Sequence, residues 1–309
     1  MLNILKTGVL SATALLGAFL APMAHATTTE TVTLAASPPT DAKPALWVIK
    51  DADSTIYLFG SIHVMKPGTN WFNPQVQTAF DSAQDVWFEV PNLDDQAAAA
   101  AIAQKYMIDP SGSLTSGLTP QEITQLDALL KPMGGSTAAF KNLRKWAVGL
   151  VVTLQQINQL GYSPKEGVDV TLMAKARQAN KGVRGFETLQ QQMELLVPTS
   201  DEEELKGLRT LLKDSATVDT DIRNLFDAWT RGDETDLETF LVDKIKSEDA
   251  NVYQRLIVQR NAAWEPQIET ILAGKGTTFI AVGAGHLIGP DSVIKMLKAH
   301  GIKVERVRY

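Results

Sequence analysis

The chain of 309 residues contains no cysteine. Thiolate nucleophiles, disulfide bridges and cysteine-ligated zinc are therefore excluded, and any metal must be held by His, Asp or Glu. Histidine is scarce as well, with four in the chain. Positive charge is not concentrated anywhere: 29 Lys and Arg stand against 35 Asp and Glu, a formal net charge of −6, and no basic run is long enough to follow a phosphate backbone. Nucleic acid is not expected as a partner. Long apolar runs are also missing. The stretch from Gly8 to Phe19 is interrupted by Ser11 and Thr13 and falls short of the ~20 residues that span a bilayer, so no permanent membrane anchor is expected.

That N-terminal stretch is preceded by Lys6 and followed by Pro22 and the small-x-small triplet Ala24, His25, Ala26. The pattern is that of a secretory signal peptide over residues 1–26, and it implies a periplasmic or secreted protein. Without a cysteine near the cleavage site, a lipoprotein is excluded. Residues 27–43, rich in Thr, Ala and Pro, lack hydrophobic periodicity and read as a flexible leader. Residues 44–309 are then one domain, long enough to bury a sizeable core.

Along this domain the pattern predicts an α/β (α+β) fold, a small mixed sheet flanked by many helices with a largely helical middle insertion. Leu46–Ile49 and Thr55–Phe59, separated by Asp51, Ala52, Asp53 and Ser54, read as a β-hairpin. Asn73 and Pro74 open a helix to about Ser82, and Val86–Val90 is a third strand. Helices are expected near 94–107, after the capping sequence Thr119, Pro120, Gln121, Glu122, over 138–160 up to Gly161, and over 168–180. A short strand at 183–186 precedes another helix. Ser200 with Glu203, Asp233 and Ser247 mark further helix starts, the last running through Arg260. Thr277–Val282 is a strand, Pro290 opens a helix, and 303–307 is a final strand.

The chemistry concentrates in a repeated device. Gly60, Ser61, Ile62, His63 follows one strand-like run and Gly283, Ala284, Gly285, His286 follows another. A random chain of this composition would hold about 0.3 Gly-x-x-His pairings; this one holds two, using two of the three histidines left after cleavage. Glycine is expected to turn the backbone at the strand end and present the imidazole at the sheet edge, where ligands bind in α/β sheets. If both strands lie in one sheet, the two imidazoles face a common crevice. Otherwise each histidine is an ordinary turn or core residue. Glu89 interrupts the apolar run Val86, Trp87, Phe88, Val90, where a carboxylate is costly unless paired or metal-bound; by period 2 it equally fits a solvated face. Arg260, with Arg255, Gln259, Asn261 and Trp264 on the same helix, offers a fixed cation or an ordinary surface arginine. His300, just before Gly301, reads as a helix C-terminal residue.

Taken together these residues resemble the TraB/GumN family, which includes the Tiki metalloproteases and the pheromone-shutdown TraB proteins. The likeness runs from Ala45, Leu46, Trp47 to the end. It is carried by Tyr57 to His63, the Glu89 strand, Gly167, Val168, Asp169, then Glu187, Thr188 and Gln192, Arg260, Asn261 and Trp264, and Gly283 to His286. The resemblance implies that both Gly-x-x-His motifs, Glu89 and Arg260 form one site. His63, His286 and Glu89 would hold a divalent ion, zinc, manganese or cobalt, that activates water, and Arg260 would stabilise the tetrahedral intermediate. The substrate would be a peptide or small molecule. Two alternatives stay open at this point: a metal-independent hydrolase like the erythromycin esterases, with histidine as base and Glu89 orienting it, and a non-enzymatic binder of peptide or haem. Glu187 and Asp169, each placed at a helix start, are expected to support the site rather than carry its chemistry.

Overall fold

The computed structural model describes residues 41–93 and 95–309; the expected signal peptide and most of the leader lie outside these residues. Six strands form one mixed sheet: β1 Leu46–Lys50, β2 Ser54–Ser61, β3 Asp85–Phe88, β4 Gly182–Gly185, β5 Gly276–Gly283 and β6 Val304–Arg306. The spatial order is β4-β3-β5-β2-β1-β6. The hairpin expected at the start is present, with Leu46 opposite Phe59 and Lys50 opposite Thr55. Asp51 closes its turn by accepting the amides of Asp53 and Ser54. β6 adds to the outer side of β1, antiparallel.

The other four strands decide where a site can lie. β2, β5, β3 and β4 are mutually parallel, with Ser61 level with Gly283 and Phe88 paired to both Ala281 and Gly185. All four carboxyl ends therefore emerge on one edge. Behind them the core is aromatic: Phe59 contacts Trp71, Trp229 and Phe279, and Phe80 packs edge-on against Phe279. Parallel strands need long crossovers, and this chain supplies them as helices.

The helices are α1 Pro74–Ser82, α2 Gln96–Tyr106, α3 Pro120–Leu130, α4 Lys145–Gln159, α5 Val168–Gln178, α6 Leu189–Leu196, α7 Asp201–Asp214 and α8 Val218–Arg231. After them come α9 Glu234–Leu237, α10 Lys244–Glu248, α11 Ala250–Tyr253, α12 Gln259–Leu272 and α13 Val293–Ala299. Capping chemistry sets several starts. Asn73 accepts the amides of Gln75 and Val76, and Thr119 with Glu122 forms a reciprocal capping box. Two π segments, Glu238–Asp243 and Gln254–Val258, interrupt the run; the second ends one residue before the turn that carries Arg260.

Several boundaries differ from the sequence pattern, each for a local reason. The helix expected over 138–160 begins at Lys145, because Ile108 and Leu143 pair in an antiparallel bridge and the Arg144 amide donates to Met107 O. Ser247 opens no helix. Its hydroxyl bonds back to Lys244 O inside α10, while Asp249, in extended backbone, accepts the amides of Asn251 and Val252 and caps α11. Pro290 sits in the turn after Gly289, and Ser292 caps α13. The pattern did not anticipate α8. Residues 41–43, expected to belong to a flexible leader, are tied to the fold: Ala42 N donates to Asn70 O and Lys43 N to Thr230 O. Among the described residues, no helix is long and apolar enough to cross a membrane.

Candidate active site

His63 stands two residues beyond the end of β2, in a segment stitched to the start of α5. Val168 N donates to Ile62 O, and Met65 and Ser163 exchange backbone hydrogen bonds. Gly167 makes this approach possible, since a Cβ there would lie 2.3 Å from the His63 carbonyl oxygen. α5 so docked presents Asp169 from its first turn, buried, with Oδ2 2.5 Å from His63 Nδ1 and Oδ1 accepting from Ser61 Oγ at 2.7 Å. An Nδ1–H that donates to a carboxylate leaves Nε2 as the lone-pair nitrogen. His63 Nε2 is buried and has no hydrogen-bond partner. Burial pulls the His63 imidazole down, but the Asp169 carboxylate outweighs it and the pKa is raised from 6.5.

Glu89 lies one residue past β3, and at 2 % exposure the solvated-face reading is excluded. Its Oε1 accepts the Gly283 amide at 2.8 Å; its Oε2 accepts Arg260 Nη2 at 2.6 Å and Gln192 Nε2 at 2.7 Å. Burial opposes the charge, yet Arg260, followed by the two histidines, holds the carboxyl at about 2. Arg260 comes from the first turn of α12 and is buried. It forks onto Glu187, Nε to Oε1 and Nη2 to Oε2 both at 2.9 Å, and lies 4.6 Å over the Trp264 ring. Trp264 Nε1 donates to Glu187 Oε1 at 3.0 Å.

His286 follows β5 and is fully buried. Asn261 fixes its tautomer. The Asn261 amide donates to Asp291 O at 2.8 Å, so its Oδ1 is free to accept His286 Nδ1–H at 2.7 Å. Nε2 is then an acceptor, and Arg260 Nη1 donates to it at 3.0 Å. Burial and the adjacent guanidinium together lower the His286 pKa to about 3, so the ring is neutral.

All four residues singled out in the sequence thus meet at the carboxyl edge of the sheet. The reason for the glycines is different from the one expected. Neither Gly60 nor Gly283 is left-handed. Gly60 instead admits Ala284, whose Cα and Cβ would lie 3.2 Å from a side chain there, so one Gly-x-x-His turn packs into the other. Sequence reasoning missed the Ser61–Asp169–His63 chain, because nothing in a linear pattern pairs residues more than a hundred positions apart. Glu187, expected to support the site from a helix start, directs its side chain to Arg260 and Trp264.

The donor set, two imidazoles and a carboxylate, has the chemistry of a metal site. His63 Nε2 is an open, buried lone pair, and Glu89 Oε1 is 3.7 Å from His286 Nε2. Two features stand against a closed coordination sphere. Arg260 occupies the His286 lone pair, and among the described residues only Glu265, Glu269 and His300 bring three such donor atoms within 4.8 Å of one another. His63 therefore stands further than that from at least one of the other two.

Residues 45–306 match the TraB/PrgY/gumN family. The chain is 24% identical over 259 residues to the uncharacterized protein YbaP of Escherichia coli, covering 82% of this chain and 92% of that one. An uncharacterized protein of Treponema pallidum is 22% identical over 269 residues, with 82% and 79% covered. A metalloprotease TIKI homolog of Nematostella vectensis is 25% identical over 317 residues, with 85% and 67% covered. No solved structure gave a significant match.

Proposed function

Since this chain belongs to the TraB/PrgY/gumN family, we propose that it is a hydrolase, with peptides as its substrate class, that activates water at the carboxyl edge of its sheet. The observation that carries this reading is His63 Nε2, a buried nitrogen without a partner whose other ring nitrogen is held by Asp169. The peptide substrate rests on the likeness to the TIKI homolog. His63, His286 and Glu89 are the residues that would hold a divalent ion, zinc, manganese or cobalt. Such an ion lowers the pKa of a bound water and polarises a carbonyl.

The chain's own groups have distinct tasks. Asp169 fixes the ring and tautomer of His63, so that Nε2 faces the reacting water, and Asn261 does the same for His286. The Arg260 guanidinium keeps Glu89 ionised and His286 neutral. Its Nη1, which donates to His286 Nε2 and Leu256 O, is the one nitrogen not committed to a carboxylate; turned from His286 Nε2, it would be the donor that meets a substrate carbonyl oxygen as negative charge develops there.

A second reading is favoured by one observation. With Arg260 on His286 Nε2, His63 is the imidazole with an open lone pair, and it can take the proton from water by itself. Metal content of the purified protein, and cleavage of a mixed peptide library with and without chelator, separate the two. Chelator-sensitive cleavage with bound metal supports the first, and chelator-resistant cleavage the second. A folded His63→Ala variant with undiminished cleavage would overturn both.

A further inference from the structure

A second cluster begins at the residue after Trp264. Glu265 and Glu269 are spaced i,i+4 on α12 and project from one face, and His300 closes the end of α13 against them. His300 Nδ1 is 2.8 Å from Oε1 of Glu265 and 2.8 Å from Oε1 of Glu269. One N–H serves only one of them well. The hydrogen bond is made with Glu269, and Glu265 Oε1, on a side chain 6 % exposed, has no hydrogen-bond partner. A buried carboxylate oxygen facing a second carboxylate and an imidazole is an expensive arrangement for a surface ion pair.

We propose that Glu265, Glu269 and His300 form a second divalent-metal site, of the zinc type, that ties α12 to the C-terminal end of α13. Donor chemistry chooses the class: one imidazole and two carboxylates suit zinc and its neighbours, whereas magnesium and calcium prefer oxygen alone. Size agrees. Donors on one ion at about 2.1 Å lie about 3.0–3.4 Å apart, so a small outward movement of His300, 55 % exposed, opens the triangle enough. Glu269 and His300 face solvent, leaving positions for water, while the inner oxygen of Glu265 anchors the ion to the protein. Two carboxylates and a dication close to neutrality. The site is separate from the one around His63 and needs none of its residues. It clamps the helix that carries Arg260, Asn261 and Trp264, so its expected effect is stability.

The test uses the purified full chain and zinc alone. Zinc stoichiometry and thermal melting are compared in wild type, His300→Ala and Glu269→Gln, all three repeated in a His63→Ala/His286→Ala background. Both surface variants are expected to keep their circular dichroism, lose one zinc per chain relative to their parent, and lose the zinc-dependent rise in Tm. Affinity at this site should fall by more than about 100-fold, above the loss that removing a mere outer partner causes. Wild-type stoichiometry and affinity in His300→Ala and Glu269→Gln would overturn the proposal. Should the double background fail to fold, the loss of one zinc from the otherwise wild-type chain decides alone.

Discussion

Replacing Arg260 by Met removes the one cation buried among Glu89, Glu187 and His286 and puts an apolar chain of similar length in its place. Breaking a buried pair by deleting one partner costs about 3–5 kcal/mol. The ionisation of Glu89 leads to a similar figure: a carboxyl brought from 4.5 to about 2 represents about 3 kcal/mol of differential stabilisation at neutral pH. The lower end is expected, because the Gly283 amide and Gln192 still donate to Glu89, and Trp264 to Glu187. For a domain of this size that corresponds to a fall in Tm of about 6–12 °C. The dependence on pH is the sharper signature. In the wild type the Glu89 contribution is complete above pH 4.5 and is lost as pH falls from there towards 2. In Arg260→Met the largest force opposing burial is gone, so the Glu89 carboxyl rises despite the histidines and the Gly283 and Gln192 donors, and protonation removes a buried charge as the solution is acidified. The stability gap between the two proteins should therefore narrow between pH 7.5 and pH 5. Urea unfolding followed by circular dichroism at both values measures it. A gap below about 1 kcal/mol at pH 7.5, or one that does not change with pH, would refute the reasoning.

Asp169→Asn lets burial pull the His63 pKa down, so the acidic limb of kcat/KM should move to lower pH while activity falls about 10–100-fold; an unmoved limb in the pH–rate profile contradicts the role given to Asp169. Gly167→Ala forces a Cβ against the His63 carbonyl and should cost about 1–3 kcal/mol, read by chemical denaturation; a neutral substitution would show that this contact is not fixed. His63→Ala and His286→Ala are each expected to remove metal from the proposed active site almost as completely as the double variant, because a three-donor set has none to spare. Folded single variants that keep it, measured by metal analysis with the Glu265 cluster disabled, would rule out the shared ion. Mature protein recovered after export should begin at Thr27, and N-terminal sequencing that found Met1 intact would reject the cleavage site.

Much of the frame follows from local chemistry, and for that reason could be read from the sequence. The β1–β2 hairpin declares itself through a polar turn between apolar runs, α1 through Asn73 and Pro74, and α3 through its capping box. Each rests on contacts a few residues long. The Ser247 and Pro290 boundaries misled because another capper, Asp249 or Ser292, stood two residues further on and bound the amides first. The helix at 138–160 was shortened by a contact with residues 107–108, which no window along the chain contains.

The amino-acid order by itself pointed to the ends of β2 and β5, since two Gly-x-x-His turns follow two apolar runs and no cysteine competes with them. It left Glu89 balanced between core and solvent and Arg260 between site and surface. Only the tertiary structure decided these. Parallel pairing of β2, β5 and β3 brings three distant strand ends to one edge, and a buried carboxylate and a buried guanidinium can exist there because each neutralises the other. The same packing decided the states of the histidines. Asp169 and Asn261 reach them from α5 and α12 and select which nitrogen keeps its lone pair, and that choice depends on atoms 2.5–2.7 Å apart in space but far apart along the chain.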